Sequence, residues 1–272
     1  MKRSAAVCSV LALVVLPMLV ASAAMPLATA SRVQTGLMIH AINPVGASTN
    51  WGGYAVTGAT NSITLATASW KVPAVTCPST GSTYSSYWLG MDGFTSTTVE
   101  QTGTDSDCIS GTATYSAWYE FFPAVSVTIP TIHVTPGDIM VGVVAFSNGQ
   151  FTLAIKDKTT GQVFTKTGTV SGALRDSAEF IVEAPEICSL ISGCQLVALS
   201  NFGQVGFGQG NTGVSLTCGL VNGGVAGSIT KIPAQVNYIA MVSQSGTTLK
   251  ALPSAPTSGG TSFTVAWDST GP

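Results

Sequence analysis

From Thr49 onward, apolar β-branched and aromatic residues alternate with neutral polar ones in short runs broken by Gly, Ser, Asn and Pro, and no strong helical period appears. The runs SITLATASWKVP, SSYWLGMDG, TATYSAWYEFFP, SAEFIVEAP, LVALSNFGQVGF, QVNYIAMVSQ, TTLKALPSA and SFTVAWDS each predict a strand. The clearest unit is DIMVGVVAFSNGQFTLAIKDKTTGQVFTKTGTV, in which SNGQ and TTGQ mark successive turns of an antiparallel meander. A chain with about a dozen short strands and no helix predicts two packed sheets. The Gly-rich NTGVSLTCGLVNGGVAG predicts a long surface excursion.

The N-terminus departs from this pattern. Lys2 and Arg3 precede an apolar run from Ala5 to Val20 and the small-residue stretch ASAAMPLATAS, the layout of a secretory signal peptide over residues 1–30, cleaved after Ala23 or Ala30. Residues 31–46 then form a short pro-segment or flexible arm, and 47–272 one domain. The mature protein is expected to be extracellular, monomeric and without a transmembrane helix.

Charged residues are only 8% of the chain, so Ser, Thr and Gly must supply most of the surface polarity. Few carboxylates would need protonating in acid, which suits an acidic medium. With Lys2 and Arg3 gone, acidic residues outnumber basic ones, an excess that argues against nucleic acid or an anionic membrane as partner. Export permits disulfides. Cys188 and Cys194 flank a short loop and are the easiest pair; Cys77 with Cys108 is a second pairing that leaves Cys218 free. With no C-x-x-C and only His40 and His133 as imidazoles, neither a metal site nor a cofactor is expected.

The same scarcity narrows the chemistry. A serine triad would need His40, in the arm, or His133, in the strand-like TIHVT, and there is no G-x-S-x-G elbow. Carboxylate and amide chemistry remain. In an extended SAEFIVE strand, Glu179, Ile181 and Glu183 share one face while Phe180 and Val182 take the other. The two glutamates then look into a groove, or are solvated on an edge strand. In TTVEQTG, Val99, Gln101 and Gly103 share a face and Glu100 turns away.

These stretches, taken in order, resemble the glutamic peptidases (eqolisins). TNWGGYAV is similar to that family's Asn-Trp-Gly-Gly strand, WLGMDG to its Trp-x-Gly-x-Asp-Gly, and EQTGTD to its Gln-Thr-Gly-x-Asp. TYSAWYEFFP and AEFIVE are similar to its Ala-Trp-Tyr-Glu and Ala-Glu-x-Ile-x-Glu strands. The resemblance implies an antiparallel β-sandwich of concanavalin or lectin-like form and a pepstatin-insensitive acid endopeptidase acting on proteins or peptides. It implies a catalytic dyad of Gln101 and Glu183, with Trp51, Trp88, Asp92, Asp105, Glu120 and Glu179 binding substrate or supporting the cleft. Two departures stand out: Glu100 replaces an apolar residue before the dyad glutamine, and Ser116 replaces an aspartate before Ala-Trp-Tyr-Glu. Two other readings of the residues are a β-glucanase-like hydrolase using paired glutamates, and a non-catalytic carbohydrate-binding sandwich with Trp51, Trp88 and Trp118 as stacking platforms.

Overall fold

The computed structural model describes residues 31–33, 38, 46–189, 193–208 and 218–271; the signal peptide with both cleavage points and most of the arm, His40 included, lie outside the described residues. The described residues hold strands and no helix. After β1 (Ser31–Val33) and β2 (Ala47–Ser48) come β3 (Trp51–Thr57), β4 (Ile63–Lys71), β5 (Ser86–Met91), β6 (Val99–Ile109) and β7 (Thr112–Phe122). A two-residue β8 (Val127–Thr128) precedes the meander of β9 (Ile139–Ser147), β10 (Gln150–Asp157) and β11 (Val163–Gly168), and then β12 (Ser177–Glu183). The rest are β13 (Glu186–Ser189), β14 (Gly193–Leu196), β15 (Gln204–Phe207), β16 (Gly219–Asn222), β17 (Val225–Ser228), β18 (Gln235–Val242), β19 (Leu249–Pro253) and β20 (Phe263–Trp267).

Two antiparallel runs organise these strands. One has the order β8-β7-β6-β5-β12-β3-β18. The other runs β11-β10-β9-β4 and continues past β4 through β15, β20 and β19 to β18. Because β18 pairs in both, the hydrogen-bonded network closes on itself. The meander turns fall where the sequence places them, with Asn148 and Gly149 at positive φ in one and Gly161 in the next. That is the conformation for which asparagine and glycine are suited.

The period-two pattern decides what is buried. Leu89, Met91, Phe180 and Val182 project into the main core beside Trp70, Phe151, Phe207 and Phe263. The neighbouring Trp88 and Ile181 point the opposite way and join Trp51, Ala55, Val99, Trp118 and Ile239 in a smaller cluster. Strand β12 is flanked by β3 and β5, and all of its residues are buried. Its glutamates are therefore not those of a solvated edge strand.

Both disulfides, Cys77–Cys108 and Cys188–Cys194, form as paired above, and Cys218 is a buried free thiol. The Gly-rich stretch is not wholly a surface excursion. Residues 209–217 lie outside the described residues, but β16 and β17 form a hairpin whose first strand pairs with β4, and Cys218 and Leu220 enter the core.

Candidate active site

Residues directly opposite one another in an antiparallel ladder project to the same side. The register of β12, β5, β6 and β7 therefore sets side chains in rows on the face of the tryptophan cluster. One row holds Glu179, Gly90, Gln101 and Glu120. The next holds Ile181, Trp88, Gly103 and Trp118, and the third Glu183, Ser86, Asp105 and Ser116, with Trp51 opposite Glu183 on β3. Glu100 pairs with Met91 and Phe121 and projects to the core side, as the alternation requires.

Gly90 and Gly103 leave room across these rows for one indole. A Cβ on Gly90 would lie 3.1 Å from the Trp88 ring and 3.2 Å from the Gln101 Cβ, and one on Gly103 would lie 2.5 Å from the Trp88 Cβ. The Trp88 ring thus begins beside Gln101, and its Nε1 donates to Glu183 Oε2 at 2.8 Å. Trp51 meets the same indole edge-on, with ring centroids 5.0 Å apart.

Neighbouring polar groups fix the other side chains. Gln101 Nε2 donates to Glu120 Oε2 at 2.5 Å, which orients the amide. Asp105 accepts from Ser86 Oγ at 2.9 Å and from Ser116 Oγ at 3.1 Å. Several polar atoms on this face, among them Gln101 Oε1, Trp51 Nε1 and Trp118 Nε1, are buried and find no hydrogen-bond partner among the described residues. Ordinary interiors seldom leave such groups unmatched, and their concentration on one face is a mark of a functional surface.

Burial pushes the Glu120 carboxyl well above the ordinary glutamate value; the Gln101 hydrogen bond opposes this, and the charge of Glu183 adds to it. Glu120 and Glu183 are thus within electrostatic reach of one another. Glu179 is pushed up by burial and by the charges of Asp92, Asp176 and Glu100. In moderate acid this face therefore holds neutral carboxyls close to the Gln101 amide.

Of the residues singled out in the sequence, Gln101, Glu183, Trp51, Trp88, Asp105, Glu120 and Glu179 come together on this face. Asp92 follows β5 at a φ of 69° and turns to the segment of Arg175 and Asp176. There it accepts the backbone N–H groups of Arg175 at 2.9 Å and Asp176 at 3.1 Å, and burial raises its pKa to about 6. It is a loop anchor. Trp51, Trp88 and Trp118 are almost wholly buried, so they are not exposed stacking platforms. His133 is exposed in an irregular connection, not in a strand. Ser86 and Ser116 were not picked out as site residues, although period two from Trp88 and Trp118 places both on this face. Among the described residues, no group of three or more His, Cys, Asp or Glu is arranged to hold a metal ion.

Comparison with known proteins gives a consistent result. The sequence model of the Peptidase A4 family matches residues 49–267. The chain is 35% identical over 183 residues to aspergillopepsin-2 of Aspergillus niger, covering 59% of this chain and 62% of that protein. It is 37% identical over 159 residues to scytalidopepsin B of Scytalidium lignicola, covering 56% and 58% respectively. The chain thus spans about three fifths of the length of these curated relatives. The crystal structure of scytalido-glutamic peptidase with a transition state analog inhibitor aligns with a TM-score of 0.66 at 28% identity, over 81% of this chain and 98% of that one.

Proposed function

The chain belongs to the Peptidase A4 family, the glutamic peptidases or eqolisins, and from that premise and the site's geometry we propose that it is a secreted acid endopeptidase with Gln101 and Glu183 as its catalytic pair. The observation that carries this reading is the single Trp88 indole reaching from the side of Gln101 to the Glu183 carboxylate. Ionised Glu183 takes a proton from a water molecule as that water attacks the scissile carbonyl. Trp88 Nε1–H steadies the charge on Oε2 meanwhile. One Gln101 Nε2 hydrogen is held by Glu120, and the other is left to meet the oxyanion of the tetrahedral intermediate. Glu183 then returns its proton to the departing amine, which leaves with the C–N bond electrons.

An amide donor suits acidic solution because it carries no proton that acid can add or remove in this range, and a glutamate base works where histidine would already be charged. The two strand runs would stack as the layers of a concanavalin-like sandwich with the pair on its outer face, the substrates being protein or peptide chains. Glu179 and Glu183 lie four residues apart on one strand, which separates their Cα atoms by about 13 Å. Retaining glycosidases hold their carboxyls about 5 Å apart, so this spacing disfavours a β-glucanase reading.

The test is digestion of acid-denatured protein at acidic pH, with pepstatin present, by the Gln101→Ala and Glu183→Gln variants. Loss of one oxyanion donor typically lowers kcat by about 10² to 10³, and loss of a general base by about 10² to 10⁴. Either variant keeping more than a few per cent of activity, with an unchanged near-UV spectrum, removes that residue from the mechanism.

A further inference from the structure

The third row of the candidate active site crosses four strands as Glu183, Ser86, Asp105 and Ser116, each directly opposite the next. Partners so placed have Cβ atoms about 5 Å apart. Asp105 takes a hydroxyl hydrogen on each carboxyl oxygen, from Ser86 Oγ on Oδ1 at 2.9 Å and from Ser116 Oγ on Oδ2 at 3.1 Å. Two donors on two oxygens suit a carboxylate, which only accepts. An aspartate at position 116 would set a second carboxyl there; serine supplies a donor instead. Ser86 has one hydroxyl hydrogen, and with that spent on Asp105 its oxygen has only lone pairs to turn towards Glu183 across the ladder. Ser86 and Glu183 are both completely buried, so the surrounding medium weakens a polar contact between them far less than water would.

We propose that Asp105 is a positioning residue for Glu183: clamped by Ser116, it holds the Ser86 hydroxyl so that oxygen lone pairs, and not the hydrogen, face the base. A carboxyl that has just taken a proton from water can donate to those lone pairs, whereas the ionised form cannot. Ser86 thus favours the protonated form and Trp88 Nε1–H the ionised one, opposite pulls from adjacent rows. The negative charge of Asp105 acts in the same sense as Ser86. This rests on the reading of Glu183 as the base and adds what sets the pH at which it works. By register, the titratable side chains on this face are Glu179 and Glu183 of β12, Asp105 and Asp107 of β6 and Glu120 of β7, while β3, β5 and β18 bring none. Glu186 begins β13 three residues after Glu183, and Lys250 of β19 donates from Nζ to the Thr49 carbonyl at 3.2 Å, two residues before Trp51. Of the carboxyls on the face, only Asp105 shares a row with Glu183.

The experiment records kcat/KM against pH, on a quenched fluorescent peptide, for the full chain and its Ser86→Ala, Ser86→Thr and Asp105→Asn variants and for the Ser86→Ala, Asp105→Asn double variant. Ser86→Ala removes the lone pairs, and Asp105→Asn removes the charge and lets the Ser86 hydrogen turn to Glu183. Each should move the acidic limb to lower pH, while Ser86→Thr, which keeps the hydroxyl, should leave the limb in place. Because Asp105 acts through Ser86, Asp105→Asn should shift the limb less in the Ser86→Ala background than in the parent. A merely structural role would lower kcat with the limb unmoved. An unmoved limb in both single variants, or equal Asp105→Asn shifts in the two backgrounds, overturns the proposal. A second measurement needs no catalysis. In protein carrying isotope-labelled glutamate carboxyls, the NMR signal that Glu183→Gln abolishes reports the titration of Glu183, and its midpoint should fall in Ser86→Ala and in Asp105→Asn. A falling midpoint supports the proposal even if no chain hydrolyses anything, an outcome that would sink only the peptidase reading; an unmoved midpoint overturns it. Asp105→Asn keeps its side-chain shape and decides alone if Ser86→Ala does not fold.

Discussion

Replacing Glu100 by glutamine removes a proton site from the interior while nearly keeping its shape. Glu100 is completely buried on the core side of β6. Burial, reinforced by the charge of Asp92, raises its pKa from 4.5 to about 9. The folded protein thus keeps this proton where the unfolded chain loses it. Above pH 4.5 the native state binds more protons than the unfolded one, so stability falls as pH rises and the loss is complete only near pH 9. At 1.36 kcal/mol per pH unit, the cost from this one group between pH 4.5 and pH 7 is about 3 kcal/mol. Glu100→Gln has nothing to titrate there. Urea unfolding of the parent and the variant at half-unit steps from pH 3.5 to 7.5 measures the difference. The variant should lie within about 1 kcal/mol of the parent at pH 4, and its relative stability should climb by about 3 kcal/mol by pH 7, equivalent to about 6 to 12 °C in Tm. Curves that stay parallel across this range would refute the reasoning, since they would mean that Glu100 ionises in the folded protein as it does in the unfolded chain.

Asp92, Glu120 and Glu179 are shifted in the same direction, so the parent itself should be most stable in acid and lose stability towards neutral pH. Trp88→Phe removes the indole N–H that donates to Glu183; because that bond favours the ionised carboxylate, the acidic limb of kcat/KM should move to higher pH. A pH–rate profile unchanged in position would show that the bond does not tune the base. Gly103→Ala drives a methyl group to 2.5 Å from both the Trp88 Cβ and the Tyr87 carbonyl oxygen in a strand paired on both sides, and thermal melts should show a loss of at least about 2 kcal/mol. An alanine variant as stable as the parent would mean that β5 and β6 can part there at little cost.

Much of this was legible in the residues because period two is a strict rule. It separates Gln101 from Glu100, and Glu179 and Glu183 from Phe180 and Val182, and the register reproduces each separation. Cysteine spacing singles out Cys188–Cys194, while Cys77–Cys108 is one pairing of the three remaining cysteines; both form, and Cys218 is free. What the sequence did not reveal depends on partners distant in the chain. Nothing local marks β12 as central, because its flanking strands come from residues 51–57 and 86–91. The Gly-rich stretch reads as a loop, yet β16 gains a sheet partner in β4 and Leu220 a core to enter. LVALSNFGQVGF reads as one long strand, but Leu196 ends β14, Gln204–Phe207 forms β15, and between them Leu199 and Asn201 make only isolated bridges to Tyr84 and Thr76.

The adjacency of Glu100 and Gln101 makes β6 unusually intolerant of misalignment. A slip of a single position against β5 and β7 would exchange the two, turning an acidic carboxyl outward and hiding the carboxamide among hydrocarbon. Eleven consecutive ladder partners on β7, six on β5, and a covalent tie at Cys108 all oppose that slip. Reduction of Cys77–Cys108 should therefore be felt first as a loss of alignment fidelity during folding, with misaligned chains that are β-rich yet inert.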